Sequence, residues 1–513
     1  MKLFRASAVV GGFTLLSRML GFVREILFAA ALGSGPMAAV FLVAFRFPNL
    51  FRRWFAEGAF NAAFLPIYAE KLEGEGEAEA NRFAADTLSG LLLVLLVFVL
   101  IAELTMPWLM VALAPGFLEH PDLFAKAVLF TQITIPYILF MSVTAMLGGV
   151  LNAHHRFVAA AFAPVLLNVV FIAILLQPSN DAAQTALALS IGSFVSGGLQ
   201  AAVVLAALRR SGIRLRLRRP RLNPDMKKLL RLGIPGAIAA GVVQINLVIS
   251  QAIASMQDGA IAWLNYADRL YQLPLGVVGV AMGVALLPSL SRVVRSGDVQ
   301  GALDAQNEAL ILAAAFTLPA SIALYLLPDF FVEGLYMRGA FTAEDALAVA
   351  NVLKVYAWGL PAFILIKVFA PGFFARQNTK TPMLIASFSI GMNIVLGVFL
   401  FFRIGYVGLA IATSLAGWVN GLMLGFVLWR QGSFVPDTKL MLRLVRITMA
   451  ALAMGLVLAA IALPVRDAMS SLPFWYLLAA ISIAGLGGIL YGIFAILFRA
   501  INLRELRGVF RRS

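Results

Sequence analysis

Eight lysines and arginines stand inside otherwise apolar stretches of this sequence: Arg18, Arg24, Arg46, Arg52, Arg53, Arg269, Lys354 and Lys367. If those stretches cross a membrane, each such cation at the bilayer centre costs about 2.5 to 3.5 kcal/mol. They must therefore face protein or a wet cavity. Ser17, Arg18, Gly21, Arg24 and Glu25 recur at helical spacing and form one polar wedge. Arg46, Asn49, Arg53 and Glu57 stack on the next helix, with Arg52 beside them and Pro48 loosening the turn. The nearby acids Glu25, Glu57 and Asp268 are too few to neutralise these cations. A cavity with surplus positive charge suits an anionic substrate. Arginine predominates, and its planar fork grips phosphate oxygens two at a time. Arg18, Arg24, Arg52 and Arg269 lie well inside their stretches and are the substrate-binding candidates. Ser17, Glu25, Arg46, Asn49, Arg53, Glu57, Asp268 and Lys367 are secondary candidates for the same cavity. An ion pair accounts equally well for Arg53 with Glu57, and snorkelling to the headgroups for Lys367 near a helix end. For Lys354 the sequence offers no partner.

Other chemistry is missing. There is no cysteine and there are three histidines, His120, His154 and His155, without metal-ligand spacing. No phosphate-binding loop or nucleophile elbow occurs. No catalytic residue, metal or cofactor is expected, and energy from bound ATP is not indicated. The acidic stretch 70–79 reads as a solvated loop.

The elements that must position the cations are membrane spans. Of the 513 residues 61 % are hydrophobic and 13 % charged, with a mean hydropathy of +0.92. Water cannot be the main solvent of such a chain. Apolar runs of spanning length fall at 6–31, 38–68, 84–110, 124–151, 158–177, 183–208, 232–256, 263–290, 308–328, 345–372, 381–402, 404–429, 441–463 and 473–498. The fold class is an all-α polytopic membrane protein of about fourteen helices. The first run resembles a signal sequence, but it carries Arg18, Arg24 and Glu25 and lacks a small-residue cleavage site, so it reads as a retained span.

With the N-terminus inside, 28 of the 40 Lys and Arg lie in cytoplasmic segments and four, Lys126, Arg338, Arg403 and Arg466, lie outside. Both termini are thus expected in the cytoplasm of a bacterial inner membrane. The formal charge of +15 is mostly this asymmetry. Split among short loops, it does not suit nucleic acid. The densest cluster, from Arg209 to Arg231, is placed to touch anionic lipid headgroups.

A weak repeat runs through the chain. Val43 to Arg46, followed by Ala63 to Pro66, is echoed by Tyr266 to Arg269, followed by Ala285 to Pro288; Pro136, Gly148, Asn152 and Arg156 are echoed by Pro361, Gly372, Gln377 and Lys380. Six spans fit in one offset, so orientation is kept and two parallel lobes are expected to rock around a central site. The scheme is an N-lobe at 1–210, a basic loop at 211–231, a C-lobe at 232–432, a helix pair at 440–500 and a basic tail at 501–513.

Leu16-Ser17-Arg18 with Gly21-Phe22 and Arg24, then Ala44-Phe45-Arg46, Pro48-Asn49-Leu50 and Arg52-Arg53, resemble the MurJ (MviN) family. Tyr266 to Leu270, Leu287 to Leu290, Ala370 to Phe373 and Lys380-Thr381-Pro382 extend the match along the chain. The resemblance implies a lipid II flippase of the multidrug/oligosaccharidyl-lipid/polysaccharide exporter superfamily, not an enzyme. It implies fourteen helices, two six-helix lobes and a last helix pair forming a groove for the lipid tail. It also places the family's essential arginines on Arg18, Arg24, Arg52 and Arg269. Lipid II, membrane lipids and the peptidoglycan-synthesis machinery are the candidate partners. Two departures stand out: Met37-Ala38-Ala39-Val40 where relatives commonly have an Asp, and Gln272 where many have a Glu. Spans 7, 11 and 12 offer only neutral groups such as Asn246, Asn393 and Thr413, which does not support sodium coupling. Rival readings are export of another lipid-linked oligosaccharide or a drug, a membrane glycosyltransferase, and a non-transporting scaffold.

Overall fold

The computed structural model describes residues 2–55, 59–179, 181–281, 286–469 and 475–500; side chains at 2–8, 51–55, 59, 61–62, 236–240, 242–243, 277–278 and 280–281 lie outside that description. Every regular element among the described residues is a helix. The first eight are α1 (Lys2–Leu32), α2 (Pro36–Phe55), α3 (Ala59–Gly74), α4 (Glu77–Leu113), α5 (Pro121–Thr134), α6 (Tyr137–Ala153), α7 (Val158–Leu175) and α8 (Ala182–Arg210). Then come α9 (Pro224–Ala254), α10 (Ala260–Ala281), α11 (Leu287–Arg295), α12 (Val299–Leu326), α13 (Pro328–Tyr336), α14 (Ala343–Phe374), α15 (Lys380–Ile404), α16 (Tyr406–Arg430), α17 (Thr438–Met469) and α18 (Trp475–Leu497). Ten helical segments among the described residues are long and apolar enough to cross a membrane. The chain is a multi-pass α-helical membrane protein.

The helix order repeats with the period read from the sequence. Lys2 of α1 and Pro224 of α9, Glu77 of α4 and Val299 of α12, and Val158 of α7 and Lys380 of α15 are each 222 residues apart. The compact units are Met1–Ala262 and Trp263–Ser513. The first takes in α9, which packs on α3, α4 and α2. Near the ends of α3 and α9 the contact is ionic: the Lys71 ammonium lies 3.1 Å from Asp225 and 3.0 Å from Glu75, and Lys228 lies 2.8 Å from Glu70. Burial opposes charge on Lys71, but hydrogen bonds to Glu75 and Asp225 outweigh it and hold the ammonium above the usual lysine value.

Helical prolines are supported from neighbouring helices. Proline has no N–H, so the carbonyl four residues back loses its helical partner. Pro48 frees the Ala44 carbonyl, to which the Thr134 hydroxyl of α5 donates at 2.8 Å. Pro107 frees that of Glu103, and Gln132 Nε2 donates to it at 3.1 Å. Pro361 frees that of Ala357, and Ser321 of α12 donates at 2.6 Å. Hydrocarbon offers no water for these groups, so each such donor supplies the partner that the carbonyl loses.

In the second unit α14 is the most enclosed helix, packed by α16 on one side and α12 on another. Gly417, Gly421 and Gly425 recur every four residues on α16 and receive Phe363, Leu365 and Phe369 of α14. A Cβ on Gly425 would press into the Phe369 ring. Small residues allow this approach where the lipid supplies no hydrophobic drive between helices.

Candidate functional site

On α1, Ser17, Gly21 and Arg24 follow i, i+4, i+7 and turn toward α7, against which α1 packs. The contact is polar because α7 carries Asn168, 5 % exposed, within the apolar run Val165 to Leu175. Arg24 Nη1 donates to Asn168 Oδ1 at 3.0 Å. Asn168 Nδ2 donates to the Ser17 carbonyl at 2.9 Å and lies 3.3 Å from the Ser17 hydroxyl. This fixes the amide's orientation, because the guanidinium can only donate and the carbonyl can only accept.

Arg24 Nη2 lies 3.3 Å from the Glu25 carboxylate, itself 6 % exposed. The guanidinium carbon stands 5.6 Å from the centre of the Phe171 ring, one helical turn beyond Asn168. The side chain of Arg24 is 16 % exposed. Arg24 is thus held in place by Asn168, Glu25 and Phe171 with an edge still accessible.

Of the expected wedge, Ser17, Arg24 and Glu25 meet through Asn168 and the Arg24 guanidinium, whereas Arg18 is exposed and makes no ion pair among the described residues. On α2, Arg46 is half-buried, and Asn49 donates to the Phe45 carbonyl at 2.8 Å, next to the backbone opened by Pro48. The side chains of Arg52 and Arg53, and all of Glu57, lie outside the described residues. Sequence reasoning missed Asn168. The available signal was a lone amide in an apolar helix, matched in α15 by Asn393, also buried.

The second unit carries Asp268 and Arg269 on α10. Gln272 donates to Asp268 one turn away, so the amide that stands where many relatives have a Glu holds Asp268 by a hydrogen bond. Arg269 is exposed, and Lys367 on α14 is exposed as well. Lys354 lies 5.2 Å from the Tyr325 ring centre, a partner that the sequence did not reveal.

Directly after Arg269 the character of α10 changes. Leu270, Leu273 and Pro274 form one wall of an apolar groove of about 580 Å³. Its other walls are Phe316 and Pro319 of α12, Phe331 of α13, Met454 and Leu458 of α17, and Ile483, Gly488 and Tyr491 of α18. Arg269 itself does not line this groove; it stands one residue before its first wall residue on the same helix.

The family model described as lipid II flippase MurJ matches residues 28–477. A probable lipid II flippase MurJ of Rhizobium tropici is 47 % identical over 459 residues, covering 89 % of this chain and 86 % of the relative. A lipid II flippase MurJ of Burkholderia cenocepacia is 38 % identical, covering 89 % of both chains. Among solved structures, a lipid II flippase MurJ in an inward closed conformation aligns with a TM-score of 0.79 at 26 % identity, covering 96 % of this chain and 99 % of that one. An inward-facing multidrug resistance MATE transporter of the MOP superfamily aligns at 0.69 with 14 % identity over 81 % of this chain and 94 % of that one, a likeness of fold alone. With the family model and these relatives spanning most of its length, the chain belongs to the MurJ family.

Proposed function

We propose that this chain flips lipid II, a polyprenyl-pyrophosphate glycopeptide, from the inner to the outer leaflet of the bacterial cytoplasmic membrane. The observation that carries the reading is Arg24. A guanidinium at membrane depth is oriented by Asn168 and Glu25 with an edge still accessible, an arrangement that suits a phosphate group better than a purely structural ion pair. Family membership supports the substrate. In this reading Arg18, Arg24, Arg52 and Arg269 hold the pyrophosphate, and the apolar groove of the second unit takes the polyprenyl tail. About fourteen spans with both termini in the cytoplasm complete it: two six-helix lobes joined by the loop 211–231, and the pair α17 and α18 behind the groove. The lobes alternate between inward and outward access.

The MATE-like fold raises drug export as a second reading, but the surplus of arginine opposes a cationic drug. The test is complementation of a flippase-depleted strain, together with topology reporters after Ser211, Asp181 and Arg512. Cytoplasmic signals at Ser211 and Arg512 and a periplasmic one at Asp181 are expected. Failure of the wild-type chain to restore growth would refute the substrate assignment.

A further inference from the structure

Between α8 and α9 the chain runs without regular structure, and in this stretch Ile213, Leu215 and Leu217 alternate with Arg214, Arg216 and Arg218. Ile213 is buried and Leu215 half-buried, whereas Arg214, Arg216 and Arg218 are exposed, so this is an amphipathic strip. It is fastened to α4. The Arg218 N–H donates to the Ser89 hydroxyl at 2.9 Å, and Asn223 Nδ2 donates to Asp86 at 3.2 Å. Asn223 also caps α9 by accepting the Met226 N–H at 2.8 Å. Both anchors are at the end of α4 that leads into its apolar run, and Leu217 and Leu222 are 65 % and 69 % exposed. Such a strip has the composition of one lying in the headgroup layer.

Beside the strip is an apolar groove of about 420 Å³, walled by Leu91 and Val94 of α4, Leu229 and Ile234 of α9 and Leu222 of the strip. Next to it is a polar pocket of about 570 Å³ that contains Arg218, Arg219 and Arg221. Arg221 lines both. The acids of the polar pocket have partners: Glu79 lies 3.3 Å from Arg82, Asp86 accepts from Asn223, and Asp225 lies 3.1 Å from Lys71. The three arginines are exposed and make no ion pair among the described residues. An apolar slot is thus continuous with a cationic rim.

We propose that this is a binding site for an anionic phospholipid, with an acyl chain in the slot between α4 and α9 and the phosphodiester on Arg218, Arg219 and Arg221. Charge complementarity selects the occupant: a zwitterionic headgroup would bring an ammonium onto three arginines, whereas an anionic one brings its phosphodiester charge with no cation. The lipid would add to the direct packing of α9 on α4 beside the strip. This site is separate from the substrate groove and does not depend on the flippase reading.

The test uses the purified, delipidated full-length protein in detergent and native mass spectrometry. Binding of dioleoylphosphatidylglycerol is compared with that of dioleoylphosphatidylcholine. Wild type should bind the anionic lipid more tightly, by about tenfold or more. The triple variant R218Q/R219Q/R221Q should lose that preference, while R292Q/R295Q, which removes two basic residues elsewhere, should keep it. Gly90→Leu keeps the charge and fills the slot, since Gly90 lines it with only Met226 in ordinary contact, and should weaken phosphatidylglycerol several-fold. If Gly90→Leu fails to fold, the arginine variant, altered only at exposed positions, decides alone. Equal binding of the two lipids by wild type, an unchanged preference in the triple variant, or displacement of phosphatidylglycerol from this slot by a polyprenyl phosphate would each overturn the proposal.

Discussion

Arg24 and Arg269 are both arginines in the family pattern, yet their surroundings differ. In the first unit Arg24 sits in a polar joint between α1 and α7, oriented by an amide, a carboxylate and an aromatic face. In the second unit Arg269 is exposed on α10, and the next residue, Leu270, begins an apolar groove. A preset guanidinium favours a small, strongly charged group, because the cost of orienting it is met on folding. A cation beside hydrocarbon suits the junction between a pyrophosphate and its chain. A helix order that repeats about 222 residues apart thus carries arginines in two different settings.

The largest effect that would test this comparison is expected at Arg24. Arg24→Ala should abolish nearly all complementation and Arg24→Lys much of it, with membrane abundance near wild type in both, because fork geometry matters as well as charge. Low abundance restored by neutralising Glu25 would instead mark a structural ion pair. Next comes Asn168→Leu, which removes the acceptor that orients Arg24. Loss of one hydrogen bond to a charged group corresponds to about 1.5 to 3 kcal/mol, or roughly tenfold or more in lipid II affinity. An unchanged affinity would show that Asn168 only joins α1 to α7.

A smaller effect is expected in the groove of the second unit, where a side chain on Gly488 enters open space. Gly488→Phe should slow flipping of a long-chain polyprenyl substrate several-fold and leave a short-chain analogue unaffected. Equal slowing of both would detach the groove from tail recognition. The smallest concerns the proline supports: Thr134→Val removes the donor to the Ala44 carbonyl and should cost about 1 kcal/mol, read as a lower midpoint of thermal unfolding.

The apolar runs of the sequence all contain helices of the structure, because spanning length and hydropathy are local properties. The repeat was legible for the same reason, through prolines and basic residues at one offset. What pairs across helices was not. Asn168 reaches Arg24 over 144 residues of chain, and nothing local distinguishes it from any polar residue in an apolar helix. The hydroxyl and amide groups at Thr134, Gln132 and Ser321 likewise gain meaning only beside the carbonyls that prolines on neighbouring helices set free. Docking of α9 on α3 and α4 is a tertiary choice, although the Lys71 and Asp225 charges that accompany it are plain in the sequence.

In the proposed function the arginines bind and carry a lipid-linked pyrophosphate. The most direct measurement places the purified chain in proteoliposomes with fluorescent lipid II and follows the label's accessibility to an external quencher under an imposed membrane potential. Wild type should move lipid II between leaflets, at a rate unchanged when choline replaces sodium at the same potential, and the Ala variants at Arg18, Arg24, Arg52 and Arg269 should each fall to the protein-free background. Wild-type rates in all four variants would contradict the account.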